Sequence, residues 1–422
     1  MARKILFDGN QLDGLAMQDP IRTTLSLETI TPLFGGSAKA GYIDKTNPIR
    51  AASIRGHLRF WWRTLFGTRY ATTKDLFTAE EILWGSSEKP GLVSLKVLEA
   101  GRVEKEVEPS DFGGSKPART GPLETYFLFP FAKSGNEPAK PGAQKVSFTI
   151  ELTCKAPPDQ LEALQKQVES TLRAWITLGG IGARTRRGLG ALRATSDEER
   201  WMPSNVDTLG SWLGLSEKAN GGAATTEPDF PVLAGAKAVF GRNLSDIVRS
   251  GSGVEVLRAW RELAKFWARF RKNPLISNGS GHRPPNTGVT WPDRSELLRL
   301  NQRGRSGSGE LEQAKPFWGL PIVYQGLGTI KAAAPNGSRM ASPVILKPVA
   351  FANGEIRPMV LVLKAPKPRR IKISSKDKTI GEYALRFPSG DVEPLKTLGA
   401  STPEDAVRNA ARKFGWNEEV VL

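Results

Sequence analysis

The chain has 422 residues, with 60 Lys and Arg against 43 Asp and Glu, a formal charge of +17. An excess of that size is the footprint of a protein that meets phosphate backbones or an anionic surface. The single cysteine, Cys154, excludes a disulfide framework and a cysteine-based zinc site. No run of about 18 apolar residues, no signal-peptide core after Met1-Ala2-Arg3-Lys4 and no lipidation motif is visible, so the expectation is a cytoplasmic protein with no membrane partner.

That length exceeds what one core usually supports, and the patterning weakens around Trp201 to Asp229. Two domains are therefore expected, over 1–228 and 229–422. Residues Thr23 to Leu33 alternate as a strand, and Ala51 to Gly67 keeps helical spacing. Leu92 to Leu98 and Lys145 to Thr153 alternate again. Pro157-Pro158-Asp159 then opens a helix through Leu161, Leu164, Val168, Leu172, Trp175 and Leu178, and Leu189 to Ala194 closes the series as a strand. Strand, helix, strand, strand, helix, strand is the order of a ferredoxin-like (RRM-like) unit. Such a unit is an antiparallel sheet with both helices on one face and the other face free. The fold class is thus α+β.

Gly101 to Gly121 and Lys133 to Gly142 read as long hydrophilic inserted loops. The second half shows a strand near Ala236 to Phe240, a helix from Val254 to Arg271, flexible loops at Asn278 to Gly288 and Gly304 to Gly309, strands at Leu320 to Tyr324, Val344 to Phe351 and Pro358 to Leu363, and a last helix at Pro403 to Phe414. It is mixed in the same way and is expected to be a divergent copy of the first unit.

Two segments carry chemistry. On the helix after Pro48, Ile54, Leu58, Trp61 and Leu65 form one apolar face, while Arg55, Arg59 and Arg63 recur every four residues beside it. Arg50 and Arg55 lie at the end where the macrodipole is positive, so they cost stability there unless an anion sits between them. The alternative is a solvated face whose arginines pair with acids elsewhere. The second segment runs from Gly179 to Gly190, where Gly179, Gly180, Gly182 and Gly188 alternate with Arg184, Arg186 and Arg187. Glycines let a backbone approach and the guanidinium forks match phosphate. A helix precedes this loop and a strand follows, the reverse of a P-loop or a dinucleotide fingerprint. Trp61, Trp260 and Trp267 have the spacing of core residues. The basic run from Lys364 to Lys378 fits either nucleic acid or a lysine-protected strand edge.

Signals for catalysis are sparse. His57 and His282 lie in different halves, no metal-ligand spacing is present, and Asp44 sits in the loop leading into the arginine helix. The two segments together, with Phe34-Gly35-Gly36, resemble the RAMP superfamily of CRISPR proteins. With Gly319-Leu320-Pro321-Ile322 and Ser338-Arg339-Met340-Ala341-Ser342-Pro343 they are similar to the end-capping subunits of type III-B (Cmr) effectors. The resemblance implies tandem ferredoxin-like domains, and the residues themselves give no reason to expect a cofactor or metal. It implies a non-enzymatic RNA-binding subunit that holds guide RNA (crRNA) near its 3′ side, assists capture of complementary target RNA and contacts other RAMP subunits. Arg50, Ser53, Arg55, Arg59 and Arg63 and the loop residues named above would be its RNA contacts. The rival expectation is a RAMP-type endoribonuclease using Asp44 or His57, and a third is a basic scaffold that binds only proteins.

Overall fold

A computed structural model describes residues 19–112, 125–215, 227–249, 253–272, 291–302, 307–324, 330–334, 339–375 and 378–422. His282 and the loop Asn278 to Gly288 lie outside them, as do parts of the expected loops at Gly101 to Gly121 and Gly304 to Gly309.

In the first half, β1 (Ile21–Thr29), β2 (Val93–Glu99), β3 (Ser147–Cys154) and β4 (Leu192–Ala194) form one antiparallel sheet in the order β2-β3-β1-β4. Leu25 faces Ile150 and Leu27 faces Phe148 across the central pair, which puts the apolar set on one side. Helices α1 (Ala51–Phe66) and α3 (Pro158–Leu178) cover that side. On the opposite side Thr24 is exposed, and Glu28 is neutralised by Arg193 and Lys145 at 2.5 and 2.6 Å. This is the polar free face that alternation anticipates.

The second half repeats the order. Strands β5 (Val232–Phe240), β6 (Val344–Ala350), β7 (Ile356–Lys364) and β8 (Glu418–Val421) lie as β6-β7-β5-β8, all antiparallel. Helices α4 (Arg258–Lys272) and α5 (Pro403–Lys413) cover one face through Trp260, Leu263, Val407 and Ala410. The other face, with Leu361, Met359, Ile345 and Phe240, packs on α1 and α3. The layers therefore run sheet, helices, sheet, helices, and β6 is buried at every position because helices flank it on both sides. Within β6 the fully buried Lys347 donates its ammonium to the Ile176 carbonyl in the last turn of α3, and desolvation lowers its pKa well below the ordinary value.

Several features differ from the sequence expectation, the closing strand β8 among them. A helix α2 (Thr73–Trp84) follows α1, capped by Thr72, whose hydroxyl accepts from the Asp75 amide at 3.1 Å. Residues Glu255–Leu257, expected as helix, form a ribbon with Ile247–Arg249, so α4 starts only at Arg258. Between β5 and α5 an added five-stranded sheet joins Gly307–Glu312, Lys378–Arg386, Arg370–Ser375, Ile330–Ala333 and Ile322–Tyr324 in that order, its first pair parallel. Within the basic run Ile371 and Ile373 of the strand Arg370–Ser375 are buried in a small core of their own, and that strand pairs with Lys378–Arg386. Its long-range parallel partner is invisible to local patterning.

Candidate nucleic-acid interface

Helix α1 buries Ile54, Leu58, Trp61, Trp62 and Leu65, the face its spacing dictates. Each such side chain contributes about 1.5–3 kcal/mol when fully buried, so the orientation of the polar face is fixed by the core. Its first turn contains no acidic residue, and its N-cap Arg50 offers no side-chain bond to the exposed amides. The Arg50 Nε is buried without a partner. Arg55 is exposed and has no carboxylate partner among the described residues. Ser53 is half-buried, and its amide donates to the Arg50 carbonyl at 3.0 Å. The positive helix end and two guanidinium groups are left uncompensated in one place.

The glycine-rich loop comes to the same place. The Ala183 amide donates to the Phe34 carbonyl at 2.7 Å, tying the loop to Phe34-Gly35-Gly36. A Cβ added to Gly36 would meet Gly182 Cα at 3.8 Å and the Pro48 carbonyl at 4.0 Å, so both glycine loops abut the entry to α1. Gly182 has φ +85°, and a Cβ there would sit 2.7 Å from the Phe34 carbonyl; only glycine fits. Arg184, itself at φ 58°, stacks 5.5 Å from the Phe129 ring, and its Nε is buried without a partner. Burial lowers the Arg184 pKa, and Phe129 is 64% exposed.

The expected contacts divide into those at this place and those committed elsewhere. Arg59 and Arg63 turn to Glu80 of α2, a carboxylate only 1% exposed; Arg63 reaches its two oxygens at 2.6 and 2.7 Å, and Arg59 bonds both Glu80 and the Gly85 carbonyl, the latter at 3.2 Å. Here the alternative of pairing with a distant acid holds, because α2 supplies an acid that sequence patterning had not located. Arg186 lies 5.1 Å from the Phe60 ring and bonds the Ser342 carbonyl; Arg187 bonds the Val344 carbonyl at 2.8 Å and stacks 4.5 Å from Trp267. Desolvation lowers the pKa of both. These two arginines join the halves of the molecule through carbonyls and a ring of the second half. Gly188 is buried in that same seam, where a Cβ would press on the Leu346 carbonyl at 3.0 Å, while Gly179 and Gly180 are buried within the first half, against Trp61 and Trp175 and against Gly190.

Asp44 accepts the Thr46 and Asn47 amides at 3.0 and 2.9 Å, which is a turn-forming role. Burial lowers the pKa of His57 to about 4, so its ring is neutral near pH 7 and a weak base. No group of three or more His, Cys, Asp and Glu side chains with metal-binding geometry occurs among the described residues. No described helix is long and apolar enough to cross a membrane. Phe129 was missed in the sequence, although it stands in the aromatic run Tyr126-Phe127-Leu128-Phe129 between two hydrophilic loops.

Residues 26–193, which hold most of the first sheet, α1 and the glycine-rich loop, match the RAMP superfamily. Among solved structures the chain is similar to Cmr1 from Pyrococcus furiosus in its apo form, with 16% identity over 82% of this chain and 89% of that one and a TM-score of 0.49. It is also similar to a chain of the type III-B Cmr-beta complex bound to cognate target RNA, with 14% identity over 83% and 96% of the two chains and a TM-score of 0.44. No curated protein matches it.

Proposed function

We propose that this protein is an RNA-binding, non-enzymatic subunit of a type III-B CRISPR ribonucleoprotein effector. It would be built from two ferredoxin-like domains over 1–228 and 229–422, with the repeated strand order supporting that division. In this reading it caps the filament near the 3′ side of the guide RNA, assists capture of target RNA and packs against other RAMP subunits. The observation that carries it is the acid-free, uncapped start of α1 with Arg50 and Arg55, set against Gly35-Gly36 and Gly182. A ribose-phosphate backbone fits there because glycine permits close approach while guanidinium forks and the helix end supply charge. Arg184 and the exposed Phe129 beside it provide a cation and a ring on which an unpaired base stacks.

The test is fluorescence anisotropy with a labelled single-stranded RNA. Arg50→Glu with Arg55→Glu should lower affinity at least tenfold with the circular dichroism spectrum unchanged, and Phe129→Ala should lower it by roughly five- to a hundredfold, the loss of one stacked base. Wild-type affinity in both variants at moderate salt would reject the site.

A further inference from the structure

The hydrophilic insertion from Lys133 to Gly142 folds back on itself. The Ser134 and Glu137 amides each donate to the other's carbonyl at 3.1 and 3.0 Å, and the Lys140 amide donates to the Phe131 carbonyl at 2.8 Å. Its base is fixed to the glycine junction described above. Phe131 stacks on Phe34 at 4.8 Å, and Gly142 pairs with Phe34 in a short ribbon. Lys140 is thereby delivered to the loop that enters α1.

In that loop the Ser37 amide donates to the Tyr42 carbonyl at 3.0 Å and the Tyr42 amide to the Lys39 carbonyl at 3.1 Å, so residues 37–42 close into a turn with Tyr42 at its base. Lys39 Nζ lies 4.2 Å from the centre of the half-buried Tyr42 ring, and Lys140 Nζ lies 5.9 Å from it. Gly41, at φ +85°, makes room for the second lysine, since a Cβ there would stand 2.8 Å from Lys140 Cδ. One ring thus gathers two ammonium groups from distant segments. Neither has a carboxylate partner among the described residues. The neighbouring acids are engaged elsewhere: Asp44 accepts the Thr46 and Asn47 amides, and Glu106 holds Lys45 at 2.6 Å. Two cations brought together without an acid repel each other, and an oxyanion placed between them removes the repulsion.

We propose that Lys39 and Lys140, set by the Tyr42 ring, hold a further phosphate of the single RNA strand whose backbone lies at Arg50, Arg55 and Gly182. This rests on the RNA-binding reading above and extends it. The loop that carries Lys39 begins at Gly36, which abuts both Gly182 and the Pro48 carbonyl, so a strand passing over the two glycines along this loop reaches the two lysines. Tyr42 is a positioning residue. Its ring restricts two flexible lysine stems before the ligand arrives, so less ordering remains to be done on binding.

The full chain is titrated by fluorescence anisotropy with labelled oligo(U) over a series of salt concentrations. The variants are Lys39→Gln with Lys140→Gln, Tyr42→Leu, Tyr42→Phe, Lys133→Gln on the same insertion, and Arg50→Glu with Arg55→Glu, each checked by circular dichroism. The lysine pair variant should bind several-fold more weakly, with a log-log slope shallower by about 0.7, the loss of one phosphate contact. Lys133→Gln should match wild type. Tyr42→Leu should lose affinity although both charges remain, and Tyr42→Phe, which keeps the ring, should not. Equal losses in Tyr42→Phe and Tyr42→Leu, or in Lys133→Gln and the lysine pair variant, overturn the proposal. If the lysine pair variant binds as wild type while Arg50→Glu with Arg55→Glu does not, this proposal falls and the α1 reading stands. If the reverse holds, the α1 reading falls and the Lys39–Lys140 phosphate site stands. Failure of wild type to bind oligo(U) rejects both.

Discussion

Trp61 and Gly179 are in direct apposition: a Cβ built at 179 would stand 2.4 Å from the indole nitrogen of Trp61 and 2.6 Å from the Trp175 carbonyl. The arginine helix and the glycine loop are thus locked together by a core tryptophan. Gly179→Ala forces either the indole or the end of α3 to move, and overpacking of this kind costs about 1–3 kcal/mol. Urea denaturation should show that loss, and a midpoint equal to wild type would mean that the loop yields freely.

Glu80 holds Arg59 and Arg63 from a buried position. Removing one partner of such a cluster leaves uncompensated charge and costs about 3–5 kcal/mol when fully buried; both guanidinium groups reach solvent, so Glu80→Ala should lie at or below the low end. The thermal midpoint checks this, and Glu80→Gln should lose less.

Salt dependence separates free from committed arginines. For single-stranded RNA the log-log slope changes by about 0.7 for each phosphate contact removed. Arg50→Ala and Arg55→Ala should each make the slope shallower by about that amount, whereas Arg59→Ala should lower stability and leave the slope as it is.

Gly56 lies on the exposed side of α1 with no atom within 4 Å of a built Cβ. Gly56→Ala should stabilise the protein by about 0.5–1 kcal/mol, since it removes a helix-interior glycine without a clash. Gly56→Phe should keep the fold but block close approach of RNA beside Arg55. A bulky residue there with full RNA affinity would move the interface elsewhere.

His57 titrates at about 4 in the fold and near 6.5 in a free chain. Between these values the unfolded chain binds the extra proton, so the stability His57 contributes is complete above about 6.5 and is lost as pH falls toward 4. The change should be on the order of 1–3 kcal/mol. Stability measured at pH 7 and pH 4 should differ less in His57→Gln than in wild type.

Elements with a local signature were legible: the period-two apolar set of β1, the 3.6-period faces of α1 and α3, and the glycine turn between α3 and β4 all lie where spacing puts them. In the second half the strands at 344 and 358 and the last helix were legible, but the closing strand Glu418–Val421, four residues at the edge of its sheet, was not. One miss was local, helix α2 itself, and the others were non-local. Helix α2 carries a Thr72 to Asp75 cap and the spacing of Leu76, Ala79 and Leu83, so its existence was readable, but that its Glu80 neutralises Arg59 and Arg63 depends on tertiary approach. Likewise nothing near Arg186 and Arg187 in sequence says that their partners are the carbonyls of Ser342 and Val344. Guanidinium groups serve phosphate and carbonyl alike, and only packing decides which is near.

The helices α1 and α3 have two covers, their own sheet and the sheet that begins at Val232. During synthesis the ribosome releases the first cover early, while Leu361 and Leu363 of the second are still more than a hundred residues from completion when β4 ends at Ala194. The nascent amino-terminal half therefore emerges with one greasy flank bare, and it stays adhesive until its own carboxy-terminal strands arrive to shield it.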